Sequence, residues 1–118
     1  MTKDVALIVG GGPGISASCA RLFAKSGMYV GIAARAPDKP VLQNLEKTHG
    51  VRRYVCDASE PAAVELLFQD VVRDLGVPTL VVHNIDGRVP GIFRKGIAEA
   101  DASMAFETLR NAAFSAFL

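Results

Sequence analysis

Residues 8–20 read IVGGGPGISASCA. The five positions from Gly10 to Gly14 hold four glycines and a proline, directly behind the apolar run VALIV (5–9) and directly ahead of a helical pattern. Glycine accepts positive φ and lets another backbone, or a ligand, approach where a Cβ would otherwise stand. A helix starting behind such a turn aims its unpaired N–H groups and its positive dipole end at the same point, which suits a pyrophosphate. A P-loop would require Lys followed by Ser or Thr after the last glycine. Here Ile15 and Ser16 follow Gly14, and the next lysine is Lys25, so that motif is excluded.

Working outward, apolar runs and helical patterns alternate. Residues 4–10 read as a strand buried on both faces, as in a parallel sheet. A helix from Gly14 carries Ile15, Cys19, Leu22 and Phe23 on one stripe and ends near Gly27. Residues 28–34 form a second strand, residues 41–49 a short helix closed by Gly50, and residues 51–56 a third strand. In residues 57–76, Val64, Leu67, Phe68, Val71, Val72 and Leu75 recur at steps of three and one, an amphipathic helix. Ser59 is placed to cap it, Glu60 and Pro61 suit its first turn, and Gly76 closes it. Residues 79–84 read as a fourth strand and 86–96 as a Gly/Pro-containing loop. A last helix starts near Asp101, with Ala105, Phe106, Leu109, Ala113, Phe114 and Phe117 on its stripe. The order βαβαβαβα predicts a doubly wound, Rossmann-like α/β fold with helices on both faces of a parallel sheet.

Length and composition narrow the function. With 118 residues the chain is expected to be a single domain spanning 1–118. Its net charge is +1, with no basic tract or acidic tail, which argues against nucleic acid and charged membrane surfaces as partners. The run VALIV is too short to span a bilayer, and no signal core follows MTKD, so a cytoplasmic location is expected. Cys19 and Cys56 stand outside any metal-site spacing and read as reduced, small apolar residues.

The end of the second strand bears on the ligand. NAD recognition usually places Asp or Glu about 20 residues beyond the glycines, on the ribose 2′-hydroxyl. This chain reads IAARAP (32–37), with Ala33 and Ala34 where the acid would stand, Arg35 next, and Asp38 deeper in the loop. A guanidinium suits a 2′-phosphate through bidentate, charge-assisted hydrogen bonds. NADP(H) is therefore expected in preference to NAD(H).

At this point the residues resemble the short-chain dehydrogenase/reductase superfamily, over its N-terminal, cofactor-binding half. The family's Thr-Gly-x-x-x-Gly-x-Gly pattern meets VGGGPGIS (9–16): Gly10 and Gly14 match, Val9 replaces Thr and Ser16 replaces the last Gly. CDAS (56–59) resembles the turn after the third strand, and LGVPTLVVHN (75–84) the approach to an Asn-Asn-Ala-Gly motif. In that motif only Asn84 matches, with His83, Ile85 and Asp86 at the other positions. The resemblance implies that Gly10, Gly12, Pro13, Gly14 and Ile15 cradle the pyrophosphate. It implies that Asp57 hydrogen-bonds the adenine amino group, that Ala58 faces the ring, and that Asn84 lines the nicotinamide side. His83 reads as a hydrogen-bonded structural residue. Asn111 is the candidate for the family's catalytic Asn, although an ungapped match of SAFL (115–118) places Ala112 there instead. Ser16 is left with two roles: a Cβ where close helix–strand packing wants none, or a hydroxyl for a phosphate oxygen.

The implied activity is hydride transfer between a nicotinamide and a carbonyl or alcohol carbon. The family's proton donor sits in a Tyr-x-x-x-Lys motif, and neither Tyr29 nor Tyr54 has Lys four residues later. This half alone is therefore expected to be inactive, and a non-catalytic NAD(P)-binding module is the alternative. The family's sheet order implies 3-2-1-4 for these strands. The fourth strand would then be an open apolar edge, and with Phe114, Phe117 and Leu118 it predicts self-association.

Overall fold

The computed structural model describes residues 3–85, 102–112 and 116. The elements are β1 (Val5–Val9), α1 (Ile15–Lys25), β2 (Tyr29–Ala34), α2 (Pro40–His49), β3 (Arg52–Val55), α3 (Pro61–Asp74), β4 (Leu80–His83) and α4 (Ala102–Ala112). All strand pairs are parallel and the sheet order is β3-β2-β1-β4. The doubly wound α/β architecture expected from the alternation is the one formed.

Period-two alternation along β1 divides the core into two layers. Val5, Leu7 and Val9 pack with Tyr54, Val64, Leu67 and Val71, on the α3 face. Ala6 and Ile8 pack with Ala17, Ala20, Leu42 and Leu45, on the face of α1 and α2. The chain moves outward from β1 to β3 and then returns to β4 on the other side of β1. Crossovers of one hand therefore put α1 and α2 on one face and α3 on the other. The carboxyl ends of β1 and β4 lie side by side at that reversal, where open α/β sheets bind ligands.

α1 meets the sheet differently from its apolar stripe. Ser16, Ala17 and Ala20 are its buried residues, while Ile15 and Leu22 are exposed and Cys19 and Phe23 are only partly covered. Small residues three apart let the helix axis approach the sheet closely, and the larger side chains flank that contact. The expected helix ends are nearer the mark: Gly27 and Gly50 take positive φ just beyond α1 and α2. Ser59 does not cap α3; Glu60 holds that position without a side-chain bond, and Pro61 opens the helix. On α4, Phe106 and Leu109 are exposed rather than packed. Leu80 and Val81 are exposed along β4, as an outer strand requires. Phe114, Phe117 and Leu118 lie outside the described residues.

Gly31 and Tyr54 form a matched pair. A Cβ on Gly31 would stand 3.1 Å from Tyr54 Cε2, so the missing side chain on β2 makes room for a ring from β3. The Tyr54 hydroxyl donates to Asp74 Oδ2 at 3.1 Å, and Asp74 also pairs with Arg52 at 3.3 Å. Burial first, then the Asp74 bond and charge, push the phenol up to about 12. The fold thus favours the neutral phenol, whereas an unfolded tyrosine ionises near pH 10. Stability is fully present below that pH and declines as pH rises from about 10 toward about 12. Tyr54→Phe is expected to lower stability by about 1 kcal/mol at neutral pH through loss of the hydrogen bond. The gap from the parent chain should narrow above about pH 10, which thermal melts of both proteins across that range measure directly.

Candidate functional site: a crevice at the carboxyl ends of the strands

The glycine turn is held between β2 and β4. The N–H groups of Gly10 and Gly11 both donate to Ala33 O, at 2.9 and 3.1 Å, and Asn84 N–H donates to Val9 O at 2.8 Å. Gly10 has φ +105°, and a Cβ on it would stand 2.0 Å from Asn84 O. Gly11 lies against α2 and β2, where a Cβ would meet Leu42 Cδ1 at 2.9 Å and Ala34 Cβ at 3.3 Å. Gly12 and Gly14 differ in kind: a Cβ on either meets nothing within 4 Å. The first two glycines are therefore required by the chain itself, and the other two face open space at the start of α1.

That space is a crevice of about 750 Å³. The turn from Gly10 to Ile15, Arg35 from the end of β2, Asp57 and Ala58 after β3, Asn84 after β4, and Asn111 from α4 all border it. The residues expected to hold the cofactor, and the candidate Asn111, thus border one crevice. Ile15 is 66% exposed although apolar, and stands at the helix start on the crevice wall. Asp86 and Gly87 lie outside the described residues.

Ser16 makes two bonds that the sequence did not suggest. Its Oγ donates to Gly10 O at 2.5 Å and accepts from Asn84 Nδ2 at 3.1 Å. The residue is 1% exposed, and its hydroxyl proton is shared with Gly10 O. Serine therefore knits the turn, the first turn of α1 and the end of β4 into one unit. A hydroxyl residue in a family glycine position was the signal for this, but its partner across 68 residues was not readable.

After β3, Asp57 Oδ1 accepts from both Ser59 N (3.0 Å) and Ser59 Oγ (2.7 Å). This replaces the expected Ser59 cap: the serine closes the turn onto Asp57 instead of the α3 terminus. The Ser59 hydroxyl bond above all, then its backbone N–H and the charges of Arg35 and Arg110, hold the Asp57 carboxyl below its usual range. Arg35 Nε lies 3.7 Å from Asp57 Oδ1, joining the ends of β2 and β3. Cys56 lines the crevice beside them, and burial first, then the Asp57 charge, push its thiol up.

α4 reaches the crevice through an ion pair. Arg110 Nη2 sits 2.7 Å from Glu60 Oε1, just before α3, and Asn111 follows on the crevice wall. Lys39, not singled out from the sequence, also borders the crevice and donates from Nζ to Gly11 O at 3.1 Å. Both tyrosines are elsewhere. Tyr29 begins β2 at the opposite sheet end, with Lys3 Nζ 4.8 Å from its ring, and Tyr54 is bonded to Asp74. Among the described residues no cluster of metal-ligating side chains occurs, and no helix is long and apolar enough to cross a membrane.

Glycine turn, helix start, open strand ends and the 3-2-1-4 order define a dinucleotide-type α/β crevice. The profile of a family described as enoyl-(acyl carrier protein) reductase matches residues 10–118. The chain therefore belongs to that family and, with it, to the short-chain dehydrogenase/reductase superfamily. An uncharacterized oxidoreductase of Caenorhabditis elegans is 36% identical over 92 residues, covering 74% of this chain and 29% of the relative. A short-chain type dehydrogenase/reductase from Mycobacterium marinum superposes with a TM-score of 0.85 at 21% identity, over 98% of this chain and 47% of that one. A putative short-chain dehydrogenase/reductase from Burkholderia xenovorans gives 0.80 at 27% identity, over 98% and 46%. The chain thus spans less than half the length of each of these proteins.

Proposed function

We propose that this chain is the NADP(H)-holding portion of an oxidoreductase that moves hydride between a nicotinamide and a carbonyl or alcohol carbon. The observation that carries this reading is the pair of glycines, Gly12 and Gly14, that face open space at the start of α1 while Gly10 and Gly11 are required by the chain. A turn whose second half is kept free of side chains for no internal reason fits a ligand's approach, and the N–H groups of α1 suit a pyrophosphate. When bound, the dinucleotide supplies the hydride donor or acceptor. Of the chain's own residues, Gly12, Pro13, Gly14 and Ile15 seat the phosphates, Ala58 and Asp57 border the adenine end, and Arg35 faces the ribose 2′ position. Asn84 and Asn111 stand at the nicotinamide side, with Asn111 the candidate catalytic residue.

The cofactor preference rests on Arg35 at the end of β2, with alanines in the two positions before it. Titration with NADPH and NADH tests it. Arg35→Asp exchanges an attraction for a repulsion, each on the scale of a charged hydrogen bond, and should weaken NADPH roughly a hundredfold relative to NADH. An unchanged ratio removes Arg35 from the role.

A second reading, a nucleotide-binding module without catalysis, is favoured by one observation: the Asn84 amide is engaged by Ser16. Turnover by the full gene product separates the two. In either reading the cytoplasm is the expected compartment, and the exposed Leu80, Val81, Phe106 and Leu109 fit self-association along β4 and α4.

A further inference from the structure

We infer that Lys39 supplies the uncompensated positive charge that reads a ribose 2′-phosphate in this crevice, a role that rests on the NADP(H) reading above. Among the described residues, two cations border the crevice, Arg35 and Lys39. Arg35 lies 3.7 Å from the Asp57 carboxylate, which lines the same wall and offsets part of its charge. Lys39 has no carboxylate partner among the described residues. The acid beside it in sequence, Asp38, faces Arg53 Nη1 at 3.6 Å. Arg53 also grips Glu46 through two bonds of 2.9 and 3.2 Å and donates to Pro37 O at 3.1 Å. This guanidinium draws Asp38 aside and fastens the loop that carries Lys39.

The position of the ammonium is set as well. Nζ donates to Gly11 O at 3.1 Å, and Gly11 packs against Ala34, the residue preceding Arg35. Lys39 therefore lies at the junction of the glycine turn with the end of β2, where a dinucleotide's adenosine ribose is read. An ammonium has three N–H donors, so the bond to Gly11 leaves two for phosphate oxygens. Lys39 is itself exposed, so its replacement leaves the core intact.

The test is titration of the full chain and of Lys39→Met with NADPH and with NADH, after thermal melts show that both are folded. Loss of one charged hydrogen bond predicts about a tenfold weaker NADPH complex, with NADH within about twofold of the parent. The NADPH-to-NADH ratio of the parent should also fall as salt rises, and that of Lys39→Met should respond far less. A parent chain that prefers NADPH alongside a Lys39→Met chain that keeps the full preference overturns the role of Lys39 alone. A parent chain with no preference for NADPH overturns the NADP(H) reading, and the role of Lys39 with it, before any variant is compared.

Discussion

Gly10→Ala is expected to abolish cooperative folding, whereas Gly12→Ala, two positions along the same turn, is expected to fold like the parent chain. At Gly10 the backbone has φ +105°, a region that costs a side-chain-bearing residue about 1–3 kcal/mol. The added Cβ would also stand 2.0 Å from Asn84 O and 2.6 Å from Asn84 C. Both are main-chain atoms that no rotamer change can move. Relief requires the end of β4 to leave β1, which breaks the Asn84-to-Val9 bond and exposes the apolar edge of β1. Together these should exceed about 4 kcal/mol, most of what a domain of this size has to lose. At Gly12 a methyl meets nothing within 4 Å, so the fold is spared and the loss appears in nucleotide binding. Circular-dichroism melts of the two variants, with NADPH titration of Gly12→Ala, check both halves. A Gly10→Ala chain that melts with the parent would show that β4 does not lie against the turn as described.

The second large effect is expected at Ser16. Ser16→Gly, which restores the residue of the family pattern, should destabilise the chain by about 2 kcal/mol. About half comes from the lost hydroxyl bonds to Gly10 O and Asn84 Nδ2, and the rest from glycine's flexibility inside a helix. Ser16→Ala separates the two contributions, since it removes the hydroxyl and keeps the Cβ; its loss should be about 1 kcal/mol. Chemical denaturation of the three proteins measures both differences. A Ser16→Gly chain as stable as the parent would falsify the claim that the hydroxyl ties α1 to β4.

The alternation of elements was legible because parallel strands buried on both faces must be continuously apolar, and VALIV has few other uses. The glycine turn was legible because its position between strand and helix admits few chemistries. Which face of α1 enters the core was not: Ile15 and Leu22 draw a stripe by size, while close packing on the sheet selects Ala17 and Ala20 by smallness. Ser59 has the right residue type and position for a helix cap, yet Asp57 two residues earlier offers a charged acceptor and takes both of its donors. Lys39 escaped notice because nothing local marks it. Its meaning depends on Arg53, on another strand, removing Asp38 from its side. The positions bordering the crevice were found from motifs, while the bonds that organise them join parts of the chain distant in sequence.

The bond from Asn84 to Ser16 spans 68 residues, and Thr79 closes onto Val5 across 74. β1, β2 and β3 pair with sequence neighbours, but β4 must return past all of them, and long loops close slowly. The contacts of β4 carry the longest sequence separations in the described sheet, and its docking is what sets Asn84 against the glycine turn. A chain emerging from the ribosome has every glycine of the turn long before it has the wall that holds them in place. The glycine turn and the end of β4 thus become one unit only when strands far apart in sequence meet.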